Sequence, residues 1–111
     1  MANRRRGEVE AVIDGRPMTL CLTLGALAEL EAAFGATDLV ALAARFDSGR
    51  LSAADLIRVI AAGLKGAGHD LAASDVAAMR IEGGAAGAAR LVSDLLSATF
   101  GAPPETAANP T

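Results

Sequence analysis

Tryptophan and tyrosine are absent from this chain, cysteine and histidine occur once each, and proline occurs four times. A single cysteine, Cys21, excludes an intramolecular disulfide framework and suits a reducing cytoplasm. A single histidine, His69, excludes a metal site built on a histidine pair. Long apolar runs are missing too: none approaches the ~20 residues of a membrane span. The N-terminal charge has no apolar segment behind it, so no secretory leader is expected. Positive charge is in short supply. Ten Lys and Arg stand against thirteen Asp and Glu, a net charge of −3, which argues against direct nucleic-acid reading.

Small apolar residues are abundant instead. The hydrophobic fraction is 52%, but 27 of those residues are alanine, which buries little area. The core material is 14 Leu, 6 Val, 4 Ile, 3 Met and the three phenylalanines Phe34, Phe46 and Phe100. Each large side chain contributes roughly 1.5–3 kcal/mol when buried, so the phenylalanines are expected at helix crossings. Alanine at this density favours helix and lets helices approach closely. A chain of 111 residues fits one domain and one core.

The first regular pattern is a hairpin over residues 7–22. Two alternating runs flank Asp14-Gly15, a strong two-residue turn signal. A two-residue loop pairs Ile13 with Arg16, Ala11 with Met18 and Val9 with Leu20. Val9, Ala11, Ile13, Met18, Leu20 and Leu22 then share an apolar face, leaving Glu8, Glu10, Val12, Pro17, Thr19 and Cys21 opposite. Pro17 falls opposite Val12 at a non-hydrogen-bonded position, so its missing N–H implies an unpaired outer edge on the second strand.

Five short helices follow, at about 24–34, 38–46, 53–64, 75–82 and 85–100. Thr23 is placed to cap the first, with Leu27, Leu30 and Phe34 on one stripe, and Gly35 ends it. Thr37 is the expected cap of the second, which carries Leu39, Leu42 and Phe46. Ser52 with Asp55 forms a capping box for the third, whose stripe is Leu56, Ile57, Ile60 and Leu64. A glycine-rich loop over 65–73 leads to Ser74-Asp75 and the fourth helix, with Val76 and Met79. Gly83-Gly84 separates it from the fifth, which carries Leu91, Val92, Leu95, Leu96 and Phe100. The expected fold is therefore α+β: mainly helical, with five short helices packed on one two-stranded antiparallel hairpin. The globular domain is expected over 7–101. A flexible basic arm over 1–6, with Arg4, Arg5 and Arg6, precedes it, and a disordered tail over 102–111 follows.

No residue pattern supports catalysis, a cofactor or a metal. His69 beside Asp70 reads as a polar loop residue. Cys21 has no adjacent charge to activate its thiol. The run Gly63-Leu-Lys-Gly-Ala-Gly68 follows a helix C-terminus rather than preceding an N-terminus, the wrong dipole end for a phosphate. The acidic residues form no carboxylate pair. A helix-turn-helix reading leaves its third helix opening on Asp55, with only Arg58 exposed for DNA. Binding remains, and Val12, Pro17, Thr19 and Cys21 on the outer hairpin face are the candidate partner-binding residues.

Several segments taken in order are similar to a known family. They are Arg6-Gly-Glu-Val-Glu-Ala, Asp14-Gly-Arg-Pro, the run from Leu20 to Glu31 with Phe34-Gly35, Leu51-Ser, Gly63 to His69, Met79 to Gly84, and Leu95-Leu96 before Phe100-Gly101. Over about residues 5–101 the chain resembles the small gene transfer agent tail proteins, related to phage tail-tube and tail-assembly-chaperone proteins. The resemblance implies a bacterial protein that helps to build the tail of a phage-like particle, with tape-measure and tail-tube proteins as partners. It leaves a homo-oligomer open. A tube subunit needs a β-rich ring-forming body, which one hairpin and five helices do not supply. The expected role is therefore a tail assembly factor in the bacterial cytoplasm. The alternative is a structural adaptor retained in the finished particle.

Overall fold

The structure is a computed structural model that describes residues 3, 6–47 and 50–101. The alternating N-terminal pattern forms strands β1 (Glu8–Ile13) and β2 (Arg16–Cys21), joined at Asp14-Gly15. Both turn residues have positive φ, 53° at Asp14 and 76° at Gly15, the backbone of a turn whose twist matches its strands. The register pairs Val9 with Leu20, Ala11 with Met18 and Val12 with Pro17. Val9, Ile13 and Leu20 are consequently buried against the helices.

The helices are α1 (Leu24–Phe34), α2 (Leu39–Asp47), α3 (Ala53–Gly66), α4 (Ala73–Ala77) and α5 (Gly84–Phe100). Thr23 Oγ1 accepts from the Ala26 N–H at 3.1 Å, and Gly35 closes α1 at φ 68°. The cap of α2 is not Thr37. Asp38 Oδ1 accepts from the Ala41 N–H at 2.8 Å, and the helix starts one residue later than spacing predicts. The Asp38 carboxylate holds the Ala41 amide, one residue beyond the Val40 N–H that a Thr37 cap would take, so the cap and the helix start both move on by one. At α3 the capping box is complete: Ser52 Oγ accepts from the Asp55 N–H at 3.1 Å, and Asp55 Oδ2 accepts from the Ser52 N–H at 2.9 Å.

Helix α3 is the centre of the molecule, packing on β2, α1, α4 and α5. Six consecutive residues, Val59 to Leu64, are buried. A helix enclosed on every side loses its polar face, and here alanine and glycine supply the sides where neighbours come closest. A Cβ on Gly63 would stand 2.8 Å from Leu95 Cδ2 and 3.2 Å from Leu20 Cβ, so its bare backbone lets α5 and β2 meet α3. The helix runs two residues past its expected end at 64, because Gly66 seats directly against the end of β2. Among the described residues no polar or charged side chain is buried. Phe34 and Phe46 meet edge to face at 5.4 Å where α1 crosses α2, as expected of the aromatics; Phe100, at the end of α5, is instead 39% exposed.

One expected element is shorter. The fourth helix stops at Ala77 rather than Glu82, because Arg80–Glu82 leaves helical geometry to join the sheet. Ile81 forms an antiparallel bridge with Ile13, the Glu82 N–H donates to Val12 O at 3.0 Å, and the Asp14 N–H donates to Arg80 O at 2.8 Å. Of the expected basic arm, residues 1, 2, 4 and 5 lie outside the described residues, as does the expected tail over 102–111. Asn3 and Arg6 are tied to β1. Asn3 O accepts from the Glu8 N–H at 3.0 Å, and Arg6 Nε lies 3.9 Å from Glu8 Oε2.

Candidate functional site

The register puts Val12 opposite Pro17, Thr19 opposite Glu10 and Cys21 opposite Glu8. Residues paired this way project to one side of a sheet, so the four candidate residues share the hairpin face turned away from the core. Pro17 and Glu10 are exposed there, and Val12, Thr19 and Cys21 are half-buried. The Cys21 thiol makes only a long contact, 3.7 Å, to Arg6 O.

The edges of the hairpin differ from the face. In an antiparallel pair the backbone groups of non-hydrogen-bonded positions point outward. On β2 those positions are Pro17, Thr19 and Cys21. At Cys21 the edge is closed: a Cβ on Gly66 would fall directly on Cys21 O and 3.1 Å from its carbonyl carbon. The end of α3 thus fills the place a further strand would take. Pro17 has no N–H to offer. The free outward groups are therefore the Thr19 N–H and C=O and the Pro17 C=O.

On β1 the Glu8 N–H is held by Asn3 O, and the Val12 carbonyl and Asp14 N–H are held by the Arg80–Glu82 segment. Asp14 Oδ1 also accepts from the Arg80 N–H at 2.9 Å, fixing that segment to the turn. Sequence reasoning missed this cover, although Met79 and Ile81 alternating with Arg80 and Glu82 is the period of a strand. Each edge is closed over part of its length, as soluble sheets require to avoid uncontrolled pairing.

Beyond the hairpin, the His69 N–H donates to Leu64 O at 2.9 Å, ending α3 by its backbone. Arg45 links three elements. Its guanidinium lies 5.3 Å from the centre of the Phe34 ring, donates to Arg50 O at 2.9 Å and pairs with Asp55 Oδ2 at 3.1 Å. The Ser52 backbone N–H, seconded by Arg45, holds the Asp55 carboxyl below its usual value. A groove of about 190 Å³ lies between α1, α3 and the start of α4, floored by Leu30, Ala61, Ala62 and Leu71. Arg58 stands on its rim, and Lys65 pairs with Glu29 across it at 3.4 Å. Among the described residues no group of three or more His, Cys, Asp or Glu is placed to hold a metal ion. No helix of the described residues is long and apolar enough to cross a membrane.

The structure therefore offers surfaces: an outer hairpin face, two partly closed strand edges and one helix-lined groove. Compared with known proteins, residues 6–102 match the family model described as phage tail tube protein, GTA-gp10. No curated protein and no solved structure shows significant similarity to the chain.

Proposed function

The chain belongs to the phage tail tube protein family of gene transfer agents, and from that premise we propose that it is a tail assembly factor, acting as a tail-assembly chaperone does. It works in the bacterial cytoplasm, binding tape-measure protein, tail-tube protein or both while the tail of a phage-like particle is built. The observation that carries this reading is the size and state of the sheet. Two six-residue strands, with one edge met by α3 and the other by Arg80–Glu82, leave too little free edge to build a tube wall from subunit to subunit. What the molecule offers a partner is side-chain surface, with the outer-face set Val12, Pro17, Thr19 and Cys21 as the proposed contact and strand addition confined to the short open stretches around Thr19 on β2 and Glu10 on β1.

The test is co-purification of the full chain with tape-measure and tail-tube proteins at micromolar concentration, together with deletion of its gene. Retention of either partner and loss or mis-sizing of tails are expected. Retention of neither, with tails of normal length, defeats the proposal. A second reading, a structural adaptor that stays in the particle, is favoured by the family's description as a tube protein. Mass spectrometry of purified particles separates the two, since stoichiometric presence means an adaptor and absence means a factor that leaves.

A further inference from the structure

Helix α2 has two faces. Leu42 and Phe46 are buried beneath it, while Val40, Ala44 and Asp47, spaced one turn apart, lie on the opposite face, with Val40 80% exposed. Asp47 makes no ion pair among the described residues, and neither does Arg58 at the rim of the α1–α3 groove. We infer that the α1–α3 groove receives helix α2 of a second copy of this chain, with Val40 on the apolar floor and Asp47 paired with Arg58.

The surfaces fit in chemistry and in length. The floor of Leu30, Ala61, Ala62 and Leu71 presents small and aliphatic side chains, so a helix bearing valine and alanine can come close. Val40 and Asp47 are seven residues apart, as are Arg58 and Lys65, and on each helix that is about 10.5 Å. Laid antiparallel to α3, α2 brings Asp47 to Arg58 while Val40 reaches the Lys65 end of the groove. Leu30, Ala61 and Ala62 are already buried in the fold, so the exposed apolar groups that meet are Val40 and, on the groove walls, Ala33, Ala72 and Ala73; each surface also carries one unmatched charge, and the charges are opposite. Donor and acceptor are different patches, so two copies either exchange the contact as a reciprocal pair or repeat it head to tail, as a ring where the rotation closes and as an open chain where it does not. This goes beyond the assembly reading and does not depend on it.

The test is sedimentation equilibrium on the full chain from about 1 to 500 μM, a range suited to an interface of this small size. Concentration-dependent association is expected. Val40→Asp should weaken it by more than about tenfold, since a buried valine is replaced by a charge. Arg58→Glu should weaken it about two- to fivefold, and adding Asp47→Arg to Arg58→Glu should restore it. All three residues are on the surface, and melting curves check that each variant folds. A wild-type chain that stays monomeric throughout, association unmoved by Val40→Asp, or a charge-swapped double variant no better than Arg58→Glu alone would each overturn the inference. That holds even if the groove then binds a helix of some other protein.

Discussion

Replacing Gly66 with alanine sets two effects of opposite sign against each other. Gly66 is the last residue of α3, and alanine improves intrinsic helix propensity by up to about 1 kcal/mol over glycine. The new Cβ, however, would land on the Cys21 carbonyl oxygen, 3.1 Å from its carbon and 3.4 Å from the Thr23 backbone N. Those are main-chain atoms at the end of β2 and the cap of α1, and no rotamer change moves them aside. Carbon and oxygen settle near 3.3–3.6 Å in even the closest favourable contacts, so the end of α3 would have to retreat by on the order of 1 Å. Overpacking against a firm backbone costs about 1–3 kcal/mol, and a net loss of about 1–2 kcal/mol is expected. For a domain of this size that lowers Tm by roughly 4–16 °C. With no tryptophan or tyrosine to report, far-ultraviolet circular dichroism or calorimetry is the assay. Gly25→Ala is the control, because its Cβ meets nothing nearer than Thr23 Oγ1 at 3.8 Å. That variant should be unchanged or up to about 1 kcal/mol more stable. If Gly66→Ala proves as stabilising as Gly25→Ala, α3 does not abut the edge of β2, and the closed-edge reasoning fails with it.

Four further outcomes are expected. Asp14→Ala should cost about 1–2 kcal/mol, because alanine strains at φ 53° and the Arg80 N–H loses its acceptor; Asp14→Asn should be close to neutral, a contrast that denaturant titration can read. Ser52→Ala should cost about 1 kcal/mol through loss of the α3 cap. The Asp55 carboxyl has its pKa lowered on folding, so its contribution is fully present above the unfolded value of about 4 and is lost as pH falls through the folded value. Melting from pH 7 downward should therefore show an acid loss in wild type that is smaller in Asp55→Asn. Thr19→Pro should leave stability within about 1 kcal/mol, because the N–H it removes points away from β1. The same change should abolish capture of any partner that binds by adding a strand at that edge, and capture unaltered in a pull-down would rule that edge out as the binding site.

Local signals carried the reading of the fold furthest. Asp14-Gly15 and the alternation around it fixed the register, and Ser52 with Asp55 fixed the start of α3. These interactions complete themselves within a few residues, so the sequence contains both halves of each. What went unread needed a partner distant in the chain. Arg80–Glu82 bridges to the sheet only because Val12 and Asp14 are there to meet it, 66 residues away in the Arg80–Asp14 bond. Glycine at position 66 looks like a helix end until Cys21 is seen against it. The six buried residues of α3 escaped for a related reason, since alanine and glycine give no periodic contrast and say nothing about which side is covered.

These long-range closures bear on function more than the hairpin itself does. A free strand edge bonds indiscriminately, and a tube wall would draw on that property by continuing the sheet into the next subunit. Here β1 is met by Arg80–Glu82 near the turn and by Asn3 at its start, and β2 is met by α3 at its end. Pro17 removes one more donor from what is left. Joining a sheet through the groups still open, Pro17 and Thr19 on β2 or those around Glu10 on β1, would yield about two to four hydrogen bonds, each worth only about 0.5–1.5 kcal/mol net. Such an edge can register a partner without holding it. On the proposed reading the affinity comes from side-chain surface such as the Val12–Pro17 face or the α1–α3 groove, and contacts of that size hold partners reversibly. Reversible holding is what an assembly factor requires and what a permanent wall cannot tolerate. If the Thr19→Pro variant still captures tape-measure or tail-tube protein while substitutions at Val12 and Pro17 do not, that division of labour between edge and face is correct.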